Sequence, residues 1–287
     1  MKLSDALLAM LVPTLWGLGF TLSKAGLETF PPILLIAFRF GVTALALIWS
    51  VPVPERKVLA RIFVISLVSG SIQYSLAYTG LDGMDASAAA IVIQLEVPFA
   101  ALIAAIFLKE RLGWRRAGGM ALAFLGVMLI AGEPKIQANL VPPLLVMGAG
   151  ITWAIGQVMV RALGPVGGFT LIAWVAAFAA PQLLLASLAL ESGQWSAILN
   201  AGPLDWLLIL YLGLIMNGVG YALWYHLLGK YPVNRAIPFL LLVPVTGVLS
   251  AVAFLGEELT WPIALGGLVV ISGVAVITIE RRGRRGR

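Results

Sequence analysis

YSLAYTGL (residues 74–81) and YALWYHLL (residues 221–228) decide how this chain folds. Each sets two tyrosines four residues apart, Tyr74/Tyr78 and Tyr221/Tyr225, with Leu76 and Leu223 between them. The offset is 221 − 74 = 147 residues in a chain of 287. A polar-tipped pattern used twice, half a chain apart, points to an internal repeat.

Composition sets the class. Hydrophobic residues make up 61% and charged residues 11% of the chain. A soluble domain carries about 25% charged residues, so this chain has too few to cover a globular surface. Apolar runs reach the roughly 20 residues that a membrane span needs. They fall at 5–27, 32–50, 58–81, 85–108, 114–132, 140–162, 168–190, 204–228, 234–255 and 261–279. Between them lie PP (31–32), PVPERK (52–57), KERLGWRR (109–116), GEPKIQ (132–137), GPVGG (164–168), ESGQW (191–195) and KYPVNR (230–235). Gly, Pro and charge mark these as turns, and turns this short make neighbouring helices antiparallel. The expected fold is an all-α membrane protein of ten transmembrane helices. The first segment is too long for a signal-peptide core and has no small-residue cleavage site before the next run, so it is read as a span.

The chain has no cysteine and one histidine, His226. Disulfides, thiolate catalysis and Cys- or His-rich metal sites are thereby excluded. The net charge of +6 could suggest nucleic acid, but the placement of the charges decides otherwise. With the N-terminus inside, the inner loops hold Lys2, Arg56, Lys57, Arg61, Lys109, Arg111, Arg115, Arg116, Arg161, Lys230, Arg235 and the tail arginines 281, 282, 284, 285 and 287. These are 16 of the 19 Lys and Arg; Lys24, Arg39 and Lys135 remain. The positive-inside rule then puts both termini in the cytoplasm. The tail ERRGRRGR reads as a topology anchor on anionic lipid headgroups, with no nucleic-acid partner.

The tyrosine pairs belong to a longer series. TLWGLGFTLSKAGL (14–27) matches ITWAIGQVMVRAL (151–163), aligning Trp16 with Trp153, Gly19 with Gly156 and Lys24 with Arg161. LIAF (35–38) matches LIAW (171–174), and FLKERLGW (107–114) matches FLGEELTW (254–261). Gly119 and Gly126 match Gly266 and Gly273. Five spans per copy is odd, so the second copy must enter the membrane from the opposite side. Two inverted-topology five-helix repeats, 1–135 and 136–287 with the basic tail, are a mark of secondary transporters.

FLKERL followed by GGMALAFLG, repeated as FLGEEL followed by GGLVVISG, resembles the EamA domain of the drug/metabolite transporter superfamily. The resemblance covers nearly the whole chain. It implies an inner-membrane exporter of amino acids or related metabolites, with a central cavity between the halves. A multidrug or other metabolite carrier of the same fold is the alternative. Small four-helix relatives couple to protons through an acid inside helix 1. Here Asp5 and Glu28 flank that segment and nothing acidic lies in its middle, so coupling by that route is not expected.

Polar groups within the bilayer are costly and face the bundle interior, which nominates the cavity residues. In the third segment Ser66, Ser69, Gln73 and position 77 share one α-helical stripe, with Tyr74 beside it and Tyr78 beyond. The eighth segment carries Asn217, Tyr221, Trp224 and Tyr225. Tyr78 and Tyr225 lie near helix ends and equally fit an interfacial aromatic belt. Trp16 and Trp153, each followed at i+3 by glycine, fit either cavity lining or plain packing. Gln157 and Trp174 are further candidates. Arg39 in segment two and Glu96, beside Gln94 and Pro98 in segment four, are the mid-bilayer charges. They pair with each other, or bind the two poles of a zwitterion, or Glu96 is protonated and hydrogen-bonded. The second half has Val175 in place of Arg39 and Val243 near the Glu96 position. Pro13, Pro98, Pro181, Pro238 and Pro244 can kink their helices, as static bends or as hinges. Glu110 and Glu257, read at the cytoplasmic side, are expected to pair with loop bases such as Arg115 or Arg116 as structural contacts, with a role in an intracellular gate as the alternative.

No metalloprotease His-Glu motif, G-x-S-x-G elbow or paired mid-membrane acids argues for an enzyme, and the loops leave no soluble interaction domain. The expected partners are a small-molecule substrate and the lipid bilayer. No cofactor is expected, and the protein is read as a monomer.

Overall fold

The computed structural model describes residues 3–107, 113–164, 166–231 and 237–278, all in helices and short connections. In chain order the helices are α1 (Leu3–Gly26), α2 (Pro32–Ser50), α3 (Arg56–Asp82), α4 (Ala86–Ile103), α5 (Trp114–Ile130), α6 (Pro134–Ala138), α7 (Val141–Leu163), α8 (Gly168–Leu190), α9 (Gln194–Asn200), α10 (Pro203–Val219), α11 (Gly220–Lys230), α12 (Phe239–Leu255) and α13 (Trp261–Thr278). Seven of them are long and apolar enough to cross a membrane. The count is eight if α9 and α10, bent by 107° at their junction, form one broken span. The chain is a multi-pass membrane protein. Local sequence explains the starts: proline opens α2, α6 and α10, where its fixed φ suits the first turn and its missing N–H is not needed.

Two helices depart from the expected α-geometry. Residues Ser66–Ile72 of α3 and Tyr211–Val219 of α10 wind as π-helix. The expected stripe through Ser66, Ser69, Gln73 and position 77 is therefore broken. In a π-turn the aligned positions are i and i+5, so Ser66 and Ser71 come to one face. Both reach the same side chain: Ser71 Oγ donates to Gln182 Oε1 (2.7 Å) and Gln182 Nε2 donates to Ser66 Oγ (3.2 Å). Two 3₁₀ turns add to this. Ile93–Leu95 interrupts α4 just before Glu96, and Ile237–Leu241 leads into the regular part of α12 at Leu242.

Packing joins the two halves of the chain at every level. One apolar core combines Leu81, Ile91 and Val127 with Ala251 and Val270; a second combines Leu35 and Phe40 with Leu183 and Leu212. Ala77 packs against both. Helices α5 and α13 cross antiparallel at glycines. A Cβ added at Gly119 would lie 2.8 Å from the Gly273 carbonyl, and one at Gly126 would lie 2.7 Å from that of Gly266. Backbones this close leave no room for a side chain. Gly126→Val is thus expected to cost about 1–3 kcal/mol through overpacking, read as a lower thermal-unfolding midpoint. Gly118→Ala, with nothing within 4 Å of its added Cβ, is the control expected to leave the midpoint unchanged.

Helix ends gather at two poles. At one, Thr29 donates to Asp205 (3.0 Å), Lys24 to the Leu81 and Asp82 carbonyls (2.9 and 2.6 Å), and Thr260 to Glu133 (2.5 Å). Glu191 and Glu257 also lie at this pole. At the other, buried Asp5 accepts from the Tyr231 hydroxyl (2.8 Å) and pairs with Lys230 (3.5 Å). Glu257 corrects the sequence reading. It accepts the backbone N–H groups of Ala86 (2.6 Å) and Ser87 (2.9 Å) rather than a loop base. A carboxylate suits the positive end of a helix dipole, and here a helix start lies within reach. Glu110 lies outside the described residues.

Candidate functional site

The site is built around Arg39, a cation 2% exposed in the middle of α2. Its guanidinium fork spreads to two other helices. Nη1 donates to the Tyr78 hydroxyl of α3 (2.6 Å), and Nη2 donates to Oδ1 of Asn217 in α10 (2.6 Å). Its carbon lies 5.2 Å from the centre of the Tyr74 ring, a cation–π contact. Nε is buried and has no hydrogen-bond partner. Tyr78 passes the network on to α1 through Ser23 (2.7 Å), whose hydroxyl donates to the Gly19 carbonyl. Tyr78 is thereby a buried link between helices, not part of an interfacial belt.

The π-segment of α10 contributes carbonyls to the same place. Thr43 of α2 donates to the Gly213 carbonyl (3.0 Å) and accepts from Asn217 Nδ2 (3.1 Å). The Trp16 indole N–H donates to the Met216 carbonyl (3.0 Å). Trp16 then sits 5.0 Å from the Tyr221 ring and 6.2 Å from Trp224. The sequence reading marked Trp16 and Asn217 but gave no reason for their meeting. The reason is local backbone geometry. Irregular turns present carbonyls to extra donors, and π-turns recur at functional sites.

Glu96 lies where α4 resumes after its 3₁₀ turn, against the backbone of Gly150 in α7. Among the described residues its carboxylate has no hydrogen bond and no ion pair. The expected Arg39–Glu96 pair is not formed; Arg39 takes neutral partners instead. Glu96 and Tyr74 are close enough to interact electrostatically. Both side chains are partly buried. Two small cavities, about 90 Å³ beside Met84 and Glu133 and about 100 Å³ beside Val92 and Val127, lie away from this cluster. Neither approaches the roughly 300 Å³ of a small-molecule pocket, so chemistry rather than empty volume locates the site.

The other expected lining residues divide. Gln73 is buried beside Tyr74 with Oε1 unpartnered, and Gln94 is buried within the 3₁₀ turn. Trp153 is half-buried on α7, and Gln157 is exposed on the same helix. Trp174 lies apart: its indole donates to the Pro52 carbonyl (3.2 Å), and it packs in a peripheral cluster with Ile62, Ile65 and Phe178. The Tyr225 side chain lies outside the described residues. Sequence reasoning missed Ser23 and Thr43. A hydroxyl between apolar neighbours, on the face that carries Arg39 in the case of Thr43, was the available signal.

The model of the EamA-like transporter family matches residues 3–132 and 141–279. A "probable amino-acid metabolite efflux pump" of Salmonella typhimurium is 31% identical over 296 residues, covering 99% of this chain and 98% of that protein. Its Escherichia coli counterpart is 31% identical over 297 residues, with the same coverage. A "probable terminal-alkyne amino-acid exporter" of Streptantibioticus cattleyicolor is 28% identical, covering 99% of this chain and 97% of that one. A solved crystal structure superposes with a TM-score of 0.66 over 97% of both chains at 19% identity, a likeness of fold. The repeated glycine-spaced helices, the buried polar cluster and the full-length family match together make this chain a member of the EamA-like transporter family, a multi-pass membrane transporter and not an enzyme.

Proposed function

We propose that this protein exports neutral and aromatic amino acids, or closely related metabolites, across the bacterial inner membrane by alternating access. The observation that carries the proposal is Glu96, a carboxylate within α4 that has no cation partner among the described residues and lies close enough to Tyr74 to interact electrostatically. A ligand that brings an ammonium group and an apolar side chain supplies what Glu96 and the rings lack. The substrate's ammonium meets Glu96, while Tyr74, Tyr221, Trp16 and Trp153 receive its side chain. Gln73, Gln94 and Gln157 add polar contacts. Arg39 with Tyr78 and Asn217 fixes the aromatic wall from behind.

The membrane arrangement follows the same reading. Ten spans run as two inverted five-helix repeats, residues 1–135 and 136–287, with both termini cytoplasmic, and one chain is the working unit. Several features support this. Residues 66–72 shifted by 147 become 213–219, inside the second π-segment. The 3₁₀ turns precede Pro98 and Pro244 alike. The α5–α13 crossing is reciprocal, Gly119 on Gly273 and Gly126 on Gly266, as two inverted copies require. Interrupted helices near mid-membrane are where such carriers bind.

Purified protein in liposomes loaded with mixed amino acids tests the function. Efflux of neutral and aromatic amino acids above empty liposomes is expected, falling about tenfold or more in Tyr74→Ala, since base-level ring contacts are worth about 1–2 kcal/mol. Folded protein that releases no amino acid would overturn the assignment and point to drugs or other metabolites.

A further inference from the structure

Helices normally draw their N-terminal cap from the residue just before them. Among the described helix starts, those of α2, α3, α4, α5, α7, α8 and α9 all lack such a side-chain cap, and α2 and α4 find one elsewhere. Pro31 and Asp85, which precede α2 and α4, make no side-chain cap. The caps come from the other half of the chain. Glu191, following α8, accepts the N–H groups of Ile33 (2.7 Å) and Leu34 (3.1 Å) and is steadied by the Ser187 hydroxyl (2.6 Å). Glu257, following α12, accepts those of Ala86 and Ser87 at 2.6 and 2.9 Å. Among the described residues neither carboxylate has a Lys or Arg partner. Each holds two backbone donors and a helix dipole, and each can do so only while the two halves are closed at this pole. Water can take over those donors when the pole opens, and Asp85 is a residue type able to cap α4 in cis.

We propose that Glu191 and Glu257 are the two latches of one gate, and that their release opens the interior at this pole. The inference rests on the alternating-access reading above. Under the positive-inside orientation this pole faces out. The described structure is then closed to the outside. The other pole carries a matching group. Shifting by the 136 residues that relate LIAF to LIAW takes Glu191 to Glu55. Glu55 is exposed, and its carboxylate accepts no hydrogen bond among the described residues. It is the latch of the inner gate, engaged in the opposite state on the start of α8.

The absence of native cysteine provides the test. A single reporter, Ala77→Cys, lies between the two apolar cores one turn from Tyr74. Its labelling by an impermeant maleimide is followed from each side of oriented vesicles, with no substrate present. Glu191→Gln and Glu257→Gln are each expected to raise outside labelling roughly fivefold, as loss of a charged cap shifts the closed state. Glu55→Gln is expected to lower it, because it weakens the state open to the outside. Unchanged rates in folded Glu191→Gln and Glu257→Gln proteins would overturn the latch. Should those variants not fold, an unchanged or raised rate in Glu55→Gln would do the same. Because labelling needs no substrate, a failure of the latch is distinct from a failure of amino-acid flux.

Discussion

Glu96→Gln is expected to reduce amino-acid efflux about ten- to a hundredfold and to flatten its dependence on pH. Gln keeps the size of the side chain and removes its charge. The described structure gives Glu96 no protein cation to neutralise it, so its natural partner is the substrate's ammonium group, a proton, or each in turn. A hydrogen bond to a charged group contributes about 1.5–3 kcal/mol, which corresponds to that fold-change. Initial efflux rates from proteoliposomes over a range of pH provide the measurement. Transport and pH profile both unchanged in Glu96→Gln would remove this residue from the site.

Arg39→Met is expected to lower the stability of the folded protein by about 2 kcal/mol and to impair transport. Opposing terms decide the sign. Removing a charge from mid-bilayer recovers about 2.5–3.5 kcal/mol on the insertion scale. Against this stand two charge-assisted hydrogen bonds, to Tyr78 and Asn217, of about 1.5–3 kcal/mol each. The contact over the Tyr74 ring adds about 0.5–2 kcal/mol. The hydrogen bonds win because Arg39 ties three helices at once and its loss leaves the buried Oδ1 of Asn217 unpaired. Arg39→Lys is no rescue: a point charge keeps the burial cost and cannot fork to both acceptors. Thermal unfolding followed by tryptophan fluorescence checks this, and a stabilised Arg39→Met protein would contradict it.

Much of this was legible in the sequence because membranes simplify the code. Apolar runs bounded by Gly, Pro and charge fix helices, and buried polar residues fix the interior. Tyr74, Tyr78, Asn217, Trp16 and Arg39 were all marked, and the structure brings them together. What the sequence hid were departures from regular geometry. Nothing in SLVSGSI or YLGLIMNGV announces a π-turn; in the second, Thr43 and Trp16 donate to the Gly213 and Met216 carbonyls, partners that no local pattern reveals. The partner of Arg39 was hidden for a related reason. Opposite charges suggested Glu96, yet two neutral acceptors lay nearer once the helices packed. Trp174 looked equivalent to the other rings, but one carbonyl, that of Pro52, draws it to the periphery. The role of Glu257 turned on which helix start it would meet, a fact of topology rather than of local sequence.

The most direct test of a two-sided interior uses Ala77→Cys alone, labelled from each side of oriented vesicles with and without a transported amino acid. The expected result is that one cysteine reacts from both sides, and that substrate changes the ratio of the two rates. A cysteine that reacts from one side only, whatever substrate is added to protein competent for flux, would contradict alternating access through the space between Tyr74 and Glu96.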